Sequence, residues 1–272
     1  MKRNQIIKWV ALCFFILLLS MGLLLAHKRT SNPPAPDLNQ KLIQKIKEAK
    51  LKLQIGLNTW KPEPLKNARD MFLNLLVKEK DDNVYLLYYV ALCDYRLATY
   101  YLTLTKMKEA EIYTMEGQKY LEKAMEADSS FGESFALYAT LLGFEIAINQ
   151  ERAMELGFRS YEYLAKALEK SPENPRINLL KGASILFTPE QFGGGADNAM
   201  EFLNKSVNLF EKESIKDPIE PSWGKEEAYT FLGMAYKQKN ELDNAKKFLK
   251  RALEINPQFG MAVRELSEIE KK

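Results

Sequence analysis

From Leu38 to the C-terminus, apolar residues return every three to four positions, and no stretch shows the in–out alternation of a half-buried strand bounded by turns. A pattern sustained that long restricts the body to helices packed on helices, so the fold class is all-α. The 272 residues are 46% hydrophobic and 28% charged, which is enough apolar material for a substantial folded body and too much for a disordered one. What remains is how the helices are arranged, and self-similarity decides that.

The clearest unit runs from Glu226 to Pro257 and holds Tyr229, Leu232, Gly233, Tyr236, Ala245, Leu249, Ala252 and Pro257. Gly233 and Ala245 are small enough for two helices to cross closely, Ala252 leaves room for a neighbouring unit, and Pro257 ends the second helix. In order and spacing these residues resemble the tetratricopeptide repeat, a helix–turn–helix of 34 residues. Weaker units precede it. Gly56 and Ala68, with Phe72 and Leu75, mark a first repeat near 49–82; Lys61 to Pro64 open its second helix. Ala91, Gly117, Leu121 and Ala124 mark a long second repeat at 84–127. Gly143, Ser160, Leu164, Ala167 and Pro172 mark a third at 132–172, and Gly182, Ala199, Leu203 and Ser206 a fourth at 175–213. The last repeat spans 226–259, and residues 260–271 read as a capping helix that covers the end of the stack. Gly143 to Ser160 and Gly182 to Ala199 are both 17 residues, against 12 from Gly233 to Ala245, so the third and fourth repeats are expected to share one insertion.

The resemblance implies a right-handed α-solenoid of about five helix pairs over residues 38–272. Its first helices would line a concave groove, and its usual work is holding a protein or peptide. The groove positions carried over are Tyr85, Tyr88, Tyr95, Arg96, Thr140, Phe144, Arg176, Phe187, Thr230, Met234 and Lys237. That surface is aromatic and lightly charged, unlike the clamp of lysines and asparagines that grips a C-terminal carboxylate elsewhere in the family. Seven of the 13 tyrosines fall between Tyr85 and Tyr113, where helical spacing assigns them to core packing before ligand binding. Arg96 and Arg176 read as solvated-face residues, with anion anchoring as the alternative, and Cys93 as a small buried hydrophobe.

Ahead of the body, Trp9 to Ala26 form 18 uncharged residues behind Lys2, Arg3 and Lys8, a signal-anchor within a segment 1–28 that would cross the membrane once. Residues 29–37, with three prolines, read as an extended spacer. The body is expected on the exported, periplasmic side. The lone histidine, His27, and one of the two cysteines, Cys13, lie at or within the apolar run, leaving the body without a disulfide, a histidine base or a zinc set. With no cofactor motif, catalysis is not expected. Net charge is +3, which gives no basic surface for nucleic acid.

One loop tests the non-enzymatic reading. Thr188 to Ala199 contain three consecutive glycines, Gly193 to Gly195, but a helical segment precedes them and Ala196-Asp197-Asn198 follows, so a phosphate loop is excluded. The expected roles are mechanical: Pro189 stops a helix, Phe192 tucks into the repeat interface, the glycines take unusual backbone angles, and Asp197 caps the next helix. The leading functional expectation is a membrane-anchored scaffold in a cell-envelope assembly. The alternative is a carrier of an apolar small molecule, because the array also resembles the tetratricopeptide lipoproteins that accompany tripartite periplasmic transporters.

Overall fold

The computed structural model describes residues 38–78 and 83–271, and the packing considered below lies within the compact unit that begins at Leu42. The apolar run at 9–26, the spacer, Cys13 and His27 lie outside the described residues. Among the described residues, no helix is long and apolar enough to cross a membrane.

Eleven α-helices and no strands are present among the described residues. They are α1 (Leu38–Thr59), α2 (Pro62–Lys78), α3 (Val84–Thr103), α4 (Met107–Ala127), α5 (Gly132–Ile148), α6 (Ala153–Lys170), α7 (Pro175–Phe187), α8 (Ala196–Lys212), α9 (Lys225–Gln238), α10 (Leu242–Ile255) and α11 (Gly260–Glu270). Local chemistry explains several boundaries. The Asn83 side chain accepts from the Leu86 N–H at 3.1 Å to open α3, and Asn174 accepts from Arg176 and Ile177 ahead of Pro175 at the first position of α7. Successive helices pair as antiparallel-type hairpins, and the odd-numbered helices α3, α5, α7 and α9 also pack on one another, forming the inner layer.

Inner and outer helices bury themselves differently. On α4 only Ala110, Thr114, Gly117, Leu121 and Ala124 are buried, one stripe at helical spacing. On α3 every residue from Leu86 to Ala98 is buried, because its own partner, its neighbours and a crossing segment surround it. This is why seven tyrosines can sit in one short stretch. Tyr88, Tyr89, Tyr95 and Tyr101 are buried core, Tyr89 stacks on Phe72 at 4.8 Å, and Tyr101 stacks on Tyr113 at 5.6 Å. Cys93 is buried as well, which pushes its thiol pKa up.

The small residues mark where each hairpin crosses. A methyl group on Gly182 would sit 2.7 Å from Leu203 Cδ2, and one on Gly233 would sit 2.8 Å from Leu249 Cγ. Gly143 does not do this: no atom lies within 4 Å of its would-be Cβ. In that hairpin the crossing residue is Ala139, fully packed and accepting at its carbonyl from Ser160 Oγ at 2.9 Å. Ala139 is the eighth residue of α5, as Ala91 is of α3 and Gly182 of α7. The shared insertion therefore disappears. From crossing residue to crossing residue the hairpins measure 26 (91 to 117), 21 (139 to 160), 17 (182 to 199) and 12 residues (233 to 245), a taper that shortens each arm by roughly two residues, about 3 Å, per step.

The glycine loop is mechanical, with two corrections. Gly193 and Gly195 have φ of 81° and 94°, and a Cβ on Gly194 would fall 1.8 Å from the Thr188 carbonyl oxygen. The chain folds back so tightly that Gly195 N–H donates to the Ile185 carbonyl at 3.0 Å. Phe192 does not tuck in; the fold-back leaves its ring 73% exposed. Asp197 does not cap α8, which starts at Gly195 without a side-chain cap; it lies in the first turn and pairs with Lys239 at 2.6 Å.

The crossing residues can be tested by substitution. Gly182→Ala should cost about 1–3 kcal/mol in urea unfolding, whereas Gly143→Ala should be neutral or add up to about 1 kcal/mol. A second expectation concerns Asp94, whose carboxylate is fully buried and paired with Arg69 at 2.5 and 3.2 Å. Burial raises its pKa from 3.8 to about 7, with Arg69 working against the rise. The folded state then holds the proton more tightly, so this contribution to stability is full below the ordinary value and is lost as pH climbs from about 4 to about 7. Asp94→Asn should flatten that slope in urea titrations across the same window.

Candidate functional site: a strapped concave face

Between α8 and α9 the segment Glu213–Gly224 has no helix-forming pattern and contains Pro218 and Pro221. It crosses the inner layer as a strap. Lys50 of α1 donates to the carbonyls of Pro218 at 3.0 Å and Glu220 at 2.8 Å, and the Tyr89 hydroxyl reaches the carbonyls of Ile219 and Glu220 at 3.0 and 2.8 Å. Arg176 of α7 donates to the Pro221 carbonyl and pairs with Glu213, with Glu133 at 3.8 Å. Trp223, buried, donates from its indole to the Tyr88 hydroxyl at 3.0 Å. Gly224, with φ of 106°, completes the bend against Phe210 and Leu179.

Just beyond the strap, Arg96 of α3 meets Glu227 of α9 in a two-pronged pair, one prong being Nη2 to Oε2 at 2.8 Å. Both side chains are nearly fully buried, and the guanidinium lies 4.8 Å from the ring centroids of Tyr95 and Trp223 on its flanks. Further out, Gln54 of α1 donates to Glu226 at 3.3 Å, and Asn256, just past the end of α10, donates to Asn58 at 2.8 Å. The first and last hairpins are thus joined across the concavity. Desolvation, with Arg176 close by, lowers Lys50 to about 8 against the opposing pull of Asp217 and Glu220, and its ammonium is held by backbone carbonyls.

The residues carried over as groove positions therefore divide into two sets. Tyr88, Arg96, Arg176 and Thr230 are buried under or beside the strap, and Tyr85 is half-buried edge-on to Phe131 at 5.5 Å. Arg96 and Arg176 are neither solvated nor free to anchor an outside anion, because carboxylates of their own chain already occupy them. The second set lies on the turn-side half of the inner helices. Phe144 is half-buried and stacks on the buried Tyr95 at 5.4 Å; Phe187 is 60% exposed with its edge on Phe231 at 5.9 Å; Thr140 and Met234 are half-buried. Lys237 belongs to this set but is held by Glu265 and Glu268 of α11 at 2.8 and 2.6 Å. Arg96, Phe144 and Phe187 each stand five residues past the crossing residue of their helix, so they occupy one level of the inner face. The strap was missed in sequence; the signal present was Trp223, with Ile215 and Ile219, in a charged, proline-bearing linker.

Known proteins share this architecture. Residues 226–259 match the model of the tetratricopeptide repeat. The fold is similar to the HusA haemophore from Porphyromonas gingivalis, with a TM-score of 0.61 and 26% identity over 75% of this chain and 95% of that one. It is also similar to a thermophilic tetratricopeptide-repeat protein of Thermus thermophilus, with a TM-score of 0.53 and 18% identity over 80% and 97%. No curated protein sequence matches the chain. The described body has a solenoid of the tetratricopeptide type, with its last hairpin the one that meets the repeat's full pattern.

The Arg96–Glu227 pair supplies a direct test. Glu227→Leu strands a buried guanidinium and should cost roughly 3–5 kcal/mol in chemical unfolding, while Arg96→Met with Glu227→Leu should recover most of that loss.

Proposed function

We propose that this chain is a non-catalytic binding module, anchored in a membrane through residues 9–26, whose body holds a protein or peptide partner in a cell-envelope assembly. The observation that carries the reading is the open half of the concave face, where Phe144 and the exposed Phe187 stand at one level, with the half-buried Thr140 and Met234 about one turn below it. Aromatic and methionine side chains at a concave surface provide apolar area that a partner can cover. The strap already fills the other half, so the partner presents a short apolar segment to the turn side and does not thread the full length of the inner face.

A second reading, a carrier for an apolar small molecule, is favoured by the likeness to a haemophore over most of that protein's length. The same mouth would hold the ligand, since a concave aromatic surface suits either occupant.

In-cell crosslinking followed by co-purification separates the two. A protein partner should be enriched over a control carrying residues 1–37 alone, and Phe144→Ala with Phe187→Ala should reduce that enrichment at least tenfold. No enrichment over the control, together with a bound apolar compound in the solvent extract of the purified body, would replace the first reading by the second.

A further inference from the structure

Away from the concave face, the outer surface of α6 carries an apolar seam that the described chain leaves largely open. Met154 is 91% exposed, Phe158 65% and Tyr161 63%. Followed by Ala165 and Leu168, they recur at alternating steps of four and three, the spacing by which one helix presents a continuous edge to another. The repeat geometry does not demand this. At positions equivalent to Phe158, two before the small residue of the outer helix, α8 has Asp197 and α10 has Asp243; equivalent to Tyr161, α10 has Lys246. The second repeat has the exposed Met115 at the position of Phe158 and the fourth has Met200 at that of Tyr161, so the third differs from them in adding two exposed rings to its thioether.

A row of carboxylates borders the seam. Glu155, Glu162 and Glu169 follow one another at seven-residue steps and so line its edge toward α5. Glu155 is paired with Arg152 and Arg159, the latter also donating to Tyr138 of α5, but Glu162 and Glu169 make no ion pair among the described residues. On the opposite edge Lys181 of α7 lies 4.9 Å from the Tyr161 ring centroid. Next to the seam the two edges therefore differ in sign, acidic on one side and basic at one point on the other; Arg159, Lys166 and Lys170 lie beyond the carboxylates, against Tyr138, the Tyr163 ring and the Phe135 ring.

We propose that the outer face of α6 is a docking strip for an amphipathic helix of a partner protein, with an apolar seam at heptad spacing and lysines or arginines along the flank that meets Glu162 and Glu169. Charge complementarity selects this occupant. A second copy of α6 laid antiparallel would bring the two acidic rows together. The strip is distinct from the mouth around Phe187 and does not depend on what that mouth holds.

The test uses the full chain in neutral detergent and two synthetic three-heptad peptides with leucine at the seam, one flanked by lysine and the other by glutamate. Fluorescence anisotropy should show the lysine peptide binding at least tenfold tighter than the glutamate peptide, with the difference shrinking as salt rises. Phe158→Glu should abolish binding while circular dichroism stays unchanged, since the ring is exposed. Glu162→Lys with Glu169→Lys should reverse the preference, and Phe187→Ala should leave it intact. Equal binding of the two peptides, no effect of Phe158→Glu, no reversal on charge exchange, or loss of binding in Phe187→Ala would each overturn the proposal.

Discussion

The buried pair of Arg96 and Glu227 sets the terms for the whole body. Repeat solenoids ordinarily place each unit in contact with its neighbours alone, which leaves the concave face open along its length. Here α3 of the second hairpin is joined to α9 of the fifth through two buried charges, with the rings of Tyr95 and Trp223 each 4.8 Å from the guanidinium. Such a pair holds only if both partners remain in place, because either one alone would be a desolvated charge. The strap keeps them there: Trp223 forms one wall of the arginine's slot and Tyr88 anchors the indole. A closed inner layer follows, and with it the near-complete burial of α3.

That closure explains what could be read from sequence and what could not. Helix existence, hairpin pairing and the last repeat depend on local periodicity and on small residues at fixed spacings, so Gly233, Ala245 and Ala252 were legible one by one. Ala139 was not, because alanine also occurs on helix surfaces and Gly143, one turn later, offered a better match to the expected glycine. Only the third dimension shows which of the two meets the partner helix. Arg96 and Arg176 were misread for a different reason. Their carboxylate partners are 131 and 37 residues away, and the sequence alone does not show that such distant charges meet. Of the groove positions, the structure leaves Phe187 exposed and Phe144, Thr140 and Met234 half-open; the strap and the ion pairs take most of the others.

The taper from the second hairpin to the fifth carries a further consequence. A solenoid of equal repeats presents a uniform edge, but arms that shorten at each step turn that edge into a slope. The glycine loop sits on this slope, at the turn of the fourth hairpin, where Gly194 must approach the Thr188 carbonyl within a distance no side chain permits. Its three glycines are thus required by a fold-back, and the same fold-back is what turns Phe192 outward.

Closure also decides the kind of binding the mouth can perform. An open superhelix adapts to its ligand by changing pitch, and ordering it on binding costs conformational freedom. A body clasped through Lys50, Arg96 and Arg176 has already lost that freedom on folding, so Phe144 and Phe187 are held at fixed separation and level. Preorganisation of this sort favours a small, shape-matched apolar contact over a long flexible peptide, and it confines extended partners to the outside of the solenoid. The exposed seam on α6 has the dimensions such a partner needs: from Met154 to Glu169 a helix rises about 1.5 Å per residue, roughly four turns. The inner face, by contrast, keeps only its turn-side half uncovered, because the chain has used the rest to hold itself together.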